Sequence, residues 1–223
     1  MARLTRTETQ ARTRADLLAT ARELFLAEGY ARTGLERVAE AAGYSKGAVY
    51  SNFRTKSELC LQVLTDIHES KFAEVTALLA AGGTLDERLG RFQRWAERTL
   101  GDVGWTMLEF EFAIVARDDP DLQAALVSNL ALVRGTIAAQ LQLLAHDMGV
   151  TLPLPAEDAA TSVLSLGLGL GIQRAIDPTL SARLVSDAIR LLMRSALPNT
   201  TGDAGEGVRY GNAGSTPRGN AGE

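Results

Sequence analysis

The sequence predicts an all-α fold of about nine helices, a three-helix unit followed by a larger helical bundle, on three observations. Apolar residues recur at spacings of three and four along nearly the whole chain. No stretch combines period-two alternation with β-branched enrichment, so no strand is expected. Capping residues, glycines and Asp-Pro pairs interrupt the periodic stretches at intervals suited to helix ends.

The first helix carries Leu17, Leu18, Ala21, Leu24 and Phe25 on one stripe and stops at Gly29. Thr33 and Glu36 have the spacing of a capping box, opening a short helix with Leu35, Val38, Ala39 and Ala42 inward. Gly43 is placed to end it in the left-handed conformation, and Ser45 to cap a third helix, Lys46 to about Asn52, with Val49 and Phe53 inward. Thr55 and Glu58 repeat the capping-box spacing before a fourth helix running through Leu59, Val63, Ile67 and Val75 to about Leu79. After Gly82 and Gly83, helices are expected from Leu85 to Leu100 and from Trp105 to Ala116. Asp119 and Pro120, cap and first-turn proline, open a long helix to Gly149. Pro155 begins another that ends near Ile176, and Asp177-Pro178 starts the last, with Leu180, Leu184, Val185, Ala188, Ile189 and Leu192 as its stripe. Residues 198–223, rich in Gly, Asn, Thr and Ser, are expected to be a disordered tail.

A length of 223 residues with 46% hydrophobic content suffices for a core. The net charge of −4 argues against a nucleic-acid coat protein or a polybasic membrane binder. Its distribution is uneven: residues 1–60 hold 10 Lys/Arg against 7 Asp/Glu, and the rest 13 against 20, a net of +3 and then −7. Such a distribution suits a protein that meets phosphates at one end only. The lone cysteine, Cys60, permits neither an intramolecular disulfide nor a thiolate metal cluster, and fits a reducing cytoplasm. The basic N-terminus lacks the apolar core of a secretory signal. The most apolar stretch, 163–172, is broken by Ser165 and by Gly167, Gly169 and Gly171 and falls short of the ~20 residues a span needs, so no membrane partner is expected.

Residues 34–53, GLERVAEAAGYSKGAVYSNF, have the layout of a helix-turn-helix, in which a short helix presents side chains to base edges at an angle fixed by a preceding helix and tight turn. The third helix offers Ser45, Lys46, Gly47 and Ala48 at its leading end and Tyr50, Ser51 and Asn52 further along. Lys46 suits a phosphate or guanine, Ser51 or Asn52 a base edge, and Ala48 a thymine methyl, while Gly47 lets the backbone approach. The Tyr50 hydroxyl, Lys56 and the helix starts near Thr33 and Lys56 suit phosphate oxygens. Arg3, Arg6, Arg12 and Arg14 would form a basic arm along the DNA backbone or in the minor groove. Singly, each residue has a plainer reading: Tyr50 as packing, Lys46 as a solvated charge. Together, at this spacing, they favour DNA contact.

The segment GYARTGLERVAEAAGYSKGAVYSNFRTKSELCLQVL resembles the DNA-binding domain of the TetR family of transcriptional regulators, over roughly Thr13 to Leu64. The combination of Gly29, Ala39, Ala42-Gly43, Ser45-Lys46-Gly47, Tyr50, Phe53, Lys56 and Leu59 carries the resemblance. It implies DNA contacts at Thr33, Ser45 to Ala48, Tyr50, Asn52 and Lys56. Gly34, where the family often has Thr or Ser, and Tyr44, where valine is common, depart from the pattern. The implied organisation is a flexible basic arm at 1–12, a DNA-binding domain at 13–64, a ligand-sensing and dimerisation domain at 65–197 and the tail. The resemblance further implies a pocket enclosed by helices five to seven and pairing of the last two helices with a second subunit.

Trp95, Trp105, Met107, Leu108, Phe110 and Phe112 gather aromatic and soft apolar mass suited to a largely apolar effector, and ordinary core is the equal alternative. Glu109 and Glu111 interrupt them; Glu109 is a candidate for meeting a hydroxylated or cationic ligand, although solvated or capping positions are commoner for glutamates. His68 and His146 have no carboxylate at metal-ligand spacing, and no cofactor is expected. Gly167 and Gly171, four apart, permit close helix approach and are candidates for the dimer seam with Leu184 and Ala188; packing within one subunit is the alternative. A homodimer places two recognition helices ~34 Å apart, matching successive major grooves of a palindromic operator on double-stranded DNA.

The expected function is a ligand-responsive regulator, most simply a repressor. A helical interaction scaffold or a ligand-binding protein without operator recognition is the alternative, and an enzyme is disfavoured by the lack of a nucleophile elbow, phosphate loop or HExxH pattern.

Overall fold

In the computed structural model, residues 5–198 are described and form nine helices. They are α1 (Arg6–Glu28), α2 (Leu35–Ala41), α3 (Lys46–Asn52), α4 (Lys56–Ala80), α5 (Leu85–Thr99), α6 (Val103–Ala116), α7 (Pro120–Asp147), α8 (Ala156–Ile176) and α9 (Arg183–Arg194). A two-residue antiparallel bridge, not expected from the sequence, pairs Val150–Thr151 with Leu197–Pro198. The tail beyond Pro198 and Arg3 of the arm lie outside the described residues.

Several helix ends follow the local chemistry. Gly43 takes φ +74° at the α2–α3 turn, Ser45 caps α3 by accepting from the Ala48 amide, and the Asp119 carboxylate caps α7. Three expectations need correction. Residues 6–12 of the predicted arm belong to α1, because Thr5 and Glu8 close a capping box one turn earlier than the apolar stripe begins. Thr33 does not cap α2: Gly34 occupies the cap position, and the buried Thr33 hydroxyl faces the Leu24 and Gly29 carbonyls of the α1 end. Asp177 opens a turn rather than the last helix, its carboxylate accepting from the amide and hydroxyl of Thr179, so α9 starts only at Arg183.

Two cores result. The first joins α1, α2, α3 and the N-terminal half of α4 around Leu17, Phe25, Val38, Val49, Phe53 and Leu59, and it also takes in Leu108 and Phe112 of α6. The second joins the far end of α4, through Val75 and Leu79, to α5, α7, α8 and α9. The expected boundary at 64/65 therefore falls within α4, a rod of 25 residues and about 37 Å that serves both cores. Arg174 pins α8 to the α5–α6 loop: its guanidinium donates to the Leu100, Glu97 and Leu180 carbonyls and lies 3.0 Å from the Glu97 carboxylate. There the chain turns at Gly101, with φ +88° and no room for a side chain, since a Cβ would lie 2.4 Å from that of Arg174.

The apolar content of α7 and α8 exceeds what the interrupted stretch at 163–172 indicated. Both are long and apolar enough, by length and composition, to cross a membrane. Here α7 packs most extensively on α8, and α8 carries Arg174 buried in its last turn.

Candidate functional site

The α2–α3 unit is held from within by Val38, Ala39, Val49 and Phe53, which leaves the opposite face of α3 in solvent. Ser45, Lys46, Gly47, Tyr50 and Ser51 are exposed, and Ala48 is half-buried. Tyr50 is 51% exposed, so it is not a core residue. A Cβ at Gly47 would meet only the Ser45 hydroxyl, 3.8 Å away, so the backbone there is open to close approach. The Lys46 ammonium lies 2.7 Å from Glu36 on α2, whose hydrogen bond raises its pKa and keeps it charged. Tyr44 seals the turn by donating to Asp16 on α1 at 2.7 Å.

Other predicted contact residues are engaged with the fold. Thr33 is fully buried and withdrawn from any phosphate. The Lys56 ammonium donates to the carbonyls of Tyr30 (2.7 Å) and Ala31 (3.3 Å) and sits 4.1 Å from the Tyr30 ring centre; burial lowers its pKa. It braces the loop after α1. Ser51 and the Asn52 amide nitrogen both donate to the Ala48 carbonyl, 2.9 and 2.8 Å away, which leaves the hydroxyl oxygen of Ser51 and the second N–H and the oxygen of the Asn52 amide for other partners. Arg14 likewise leaves the predicted arm: it donates to the Asn52 carbonyl at 2.6 Å and stacks on Phe53, fastening α3 to α1.

The second half forms a partly open apolar cavity of about 140 Å³ between α4, α5, α6, α7, α8 and α9. Of the predicted ligand residues, Trp95, Trp105 and Glu109 line it. Leu108 and Phe112 do not; they lie about 100° and about 60° round α6 from Glu109, on the same side of it, and are buried in the first core, where Phe112 meets Tyr30 edge-on at 5.8 Å. Gly167 and Gly171 also line the cavity, and a Cβ at Gly171 would contact Thr106 of α6 at 3.8 Å. The exposed face of α8 carries Leu168 and Ile176 instead, beside Leu184 and Leu191 of α9, while Ala188 is half-buried.

One wall of the cavity holds a polar cluster. His68 of α4 lies with Nε2 2.5 Å from Glu109 Oε1 and Nδ1 2.9 Å from Asn129 Oδ1 of α7. The Trp105 indole N–H donates to the same glutamate oxygen at 3.0 Å, and Asn129 donates its amide hydrogen to Thr65 at 2.8 Å. Burial opposes charge on His68, but the hydrogen bond and charge of Glu109, with Asn129, prevail and raise its pKa above 6.5. Glu111 is placed differently: its carboxylate accepts from the Ala31 amide at 3.1 Å, joining α6 to the loop braced by Lys56. Cys60 is buried, and burial pushes its thiol up to about 12, so it presents no thiolate.

Residues 17–63 match the family model for bacterial regulatory proteins of the tetR family, the span that builds α1 to α4 around the exposed α3. Over those residues the chain is similar to the N-terminal domain of the tetR family. Over 70 residues it is 41% identical to the HTH-type transcriptional regulator TtgR of Pseudomonas putida, which is 31% of this chain and 33% of that protein. Over 75 residues it is 39% identical to the HTH-type transcriptional regulator AcrR of Shigella flexneri, 34% of each chain. The chain thus spans about a third of the length of these curated relatives. The likeness of fold runs further: the reduced form of E. coli NemR superposes with a TM-score of 0.64 over 84% of this chain and 99% of that one, at 21% identity.

Of the cluster, Trp105 and Glu109 are among the ligand residues expected from the sequence, whereas His68 and Asn129 are not, and the tetR-family match ends before all four. Glu109 and Asn129 lie 41 and 61 residues from His68, and only the packing of α4, α6 and α7 brings the three together.

Proposed function

We propose that the protein is a one-component transcriptional regulator of the cytoplasm, binding a palindromic DNA operator as a homodimer and releasing it when a small apolar effector enters the cavity. The observation that carries this reading is the exposed polar face of α3, held rigidly against α1 and α2 in a domain whose sequence matches a regulator family. The apolar residues left in solvent on α8 and α9 supply a surface for a second copy, and a two-fold pair gives two recognition helices at the spacing of successive major grooves.

Two elements connect cavity and DNA face. The α4 rod starts beside α3 and ends in the cavity wall at Val75 and Leu79. Helix α6 presents Trp105 and Glu109 to the cavity and Leu108, Glu111 and Phe112 to the N-terminal domain. An effector that shifts either helix by its differential contacts changes the separation of the recognition helices; a coupling of ~1–3 kcal/mol gives ~5–150-fold in operator affinity.

The test is selection from random DNA duplexes by the full chain at two salt concentrations, followed by sequencing of the retained DNA. The expected result is a palindrome with half-sites about one helical turn apart and affinity that falls steeply with salt. Retention without sequence enrichment, or no retention, overturns operator recognition.

A further inference from the structure

Building on the reading of the cavity as the effector site, we propose that the effector is a neutral, mostly apolar molecule, and that His68 sets this selectivity by serving as the cavity's own counter-ion to Glu109. Among the described residues lining the cavity, His68 and Glu109 are the only ionisable ones. Their hydrogen-bond partners define their charge state. A carboxylate oxygen only accepts, so Nε2 of His68 donates to Glu109. The Asn129 amide directs its nitrogen to Thr65, whose own hydroxyl hydrogen goes to the Leu61 carbonyl, so its oxygen faces Nδ1. Both ring nitrogens therefore face acceptors, and only the imidazolium has a hydrogen on each. The raised pKa of His68 agrees.

The cavity thus contains one positive and one negative charge, 2.5 Å apart and already paired. A cationic ligand finds Glu109 compensated by His68 and by the Trp105 indole; an anionic one finds both His68 nitrogens engaged. Either would lose its hydration in an apolar space with no partner to replace it. The second tryptophan offers no free donor, its indole N–H being held by Glu74 at 2.9 Å. What remains for a ligand is apolar and aromatic surface with the uncharged polar side chains of Thr76, Thr106, Thr136 and Gln140, which suit a hydroxyl or carbonyl rather than a charge.

Three probes of one chain length separate the possibilities: 1-decanol, decyltrimethylammonium and decanoate, titrated below micelle formation into the full chain at about pH 6, where His68 is protonated. Trp95 and Trp105 are the two tryptophans and both line the cavity, so intrinsic fluorescence reports entry. The wild type is expected to bind 1-decanol at least about tenfold more tightly than either charged probe. His68→Leu leaves Glu109 without its cationic partner and is expected to raise the affinity for decyltrimethylammonium relative to that for 1-decanol by about tenfold or more. Glu109→Gln has the mirror effect, a gain for decanoate, and carries the test if His68→Leu fails to fold. The double variant returns to the neutral preference. A charged probe that binds the wild type as tightly as 1-decanol, or a folded single variant whose charge preference does not move, overturns the assignment. If none of the three probes binds while operator binding persists, the effector-cavity reading itself fails with it.

Discussion

The Lys46 ammonium is tied to Glu36 by an exposed pair at 2.7 Å, an attachment that solvent weakens and a phosphate readily replaces. Thr33, predicted to contact DNA with it, instead spends its hydroxyl inside the fold. The two therefore separate in a salt titration. Lys46→Ala is expected to weaken operator binding and to reduce the slope of log K against log salt by about 0.9, the value for one lost phosphate contact. Thr33→Val is expected to leave the slope unchanged while lowering stability by about 1 kcal/mol for the lost buried hydrogen bond. A change of slope for Thr33→Val, with none for Lys46→Ala, would reverse the assignment. Residue type and spacing located the α3 face, because a cap, a turn glycine and inward apolar residues leave the other positions outward. They did not separate Thr33 and Lys56 from the contact set, since a hydroxyl or ammonium bonds equally well to a phosphate or to a nearby carbonyl.

At the scale of elements, the seam between α6 and α1 is the tightest inter-helix contact marked by a helical glycine. A Cβ on Gly104 would sit 2.5 Å from the Leu26 carbonyl oxygen, a backbone atom that cannot swing aside. Gly104→Ala must push α6 off α1, loosening Leu108 and Phe112 in the first core and stretching the bond from Ala31 to Glu111. The expected cost is about 1–3 kcal/mol of stability, measured by urea unfolding, with a smaller effect of effector on operator affinity. Unchanged stability would mean that α6 is free to move away from α1 without loss. Most helix ends were legible because caps act over three or four residues: Ser45, Asp119 and Gly43 do in the fold what their types suggest. The start of α9 was not, because Asp177 satisfies Thr179 in a turn as well as it would a helix end, and tertiary packing chooses between them. The seam at Gly104 left no sequence signal, since its partner lies on a helix about eighty residues earlier.

For the whole molecule, the His68 cluster ties α4, α6 and α7 together between the two cores, so its protonation enters global stability. The folded chain holds the His68 proton more tightly than the unfolded chain, whose imidazole titrates near 6.5. The stabilisation is therefore fully present below about pH 6.5 and is lost as pH rises through the higher folded pKa. Other groups also titrate, so the double variant His68→Leu/Glu109→Gln serves as the reference: it removes both charges and keeps the remaining groups. The difference in unfolding free energy, wild type minus double variant, is expected to fall as the pH is raised from about 6 to 9. Parallel stability curves would show that His68 is not preferentially protonated in the fold. A fall in that difference would link stability and effector selectivity to one proton, because the imidazolium that holds the three helices is the same group that compensates Glu109 in the cavity. Raising the pH should then shift the folded wild type towards the cation preference of His68→Leu over the range in which the stability difference declines.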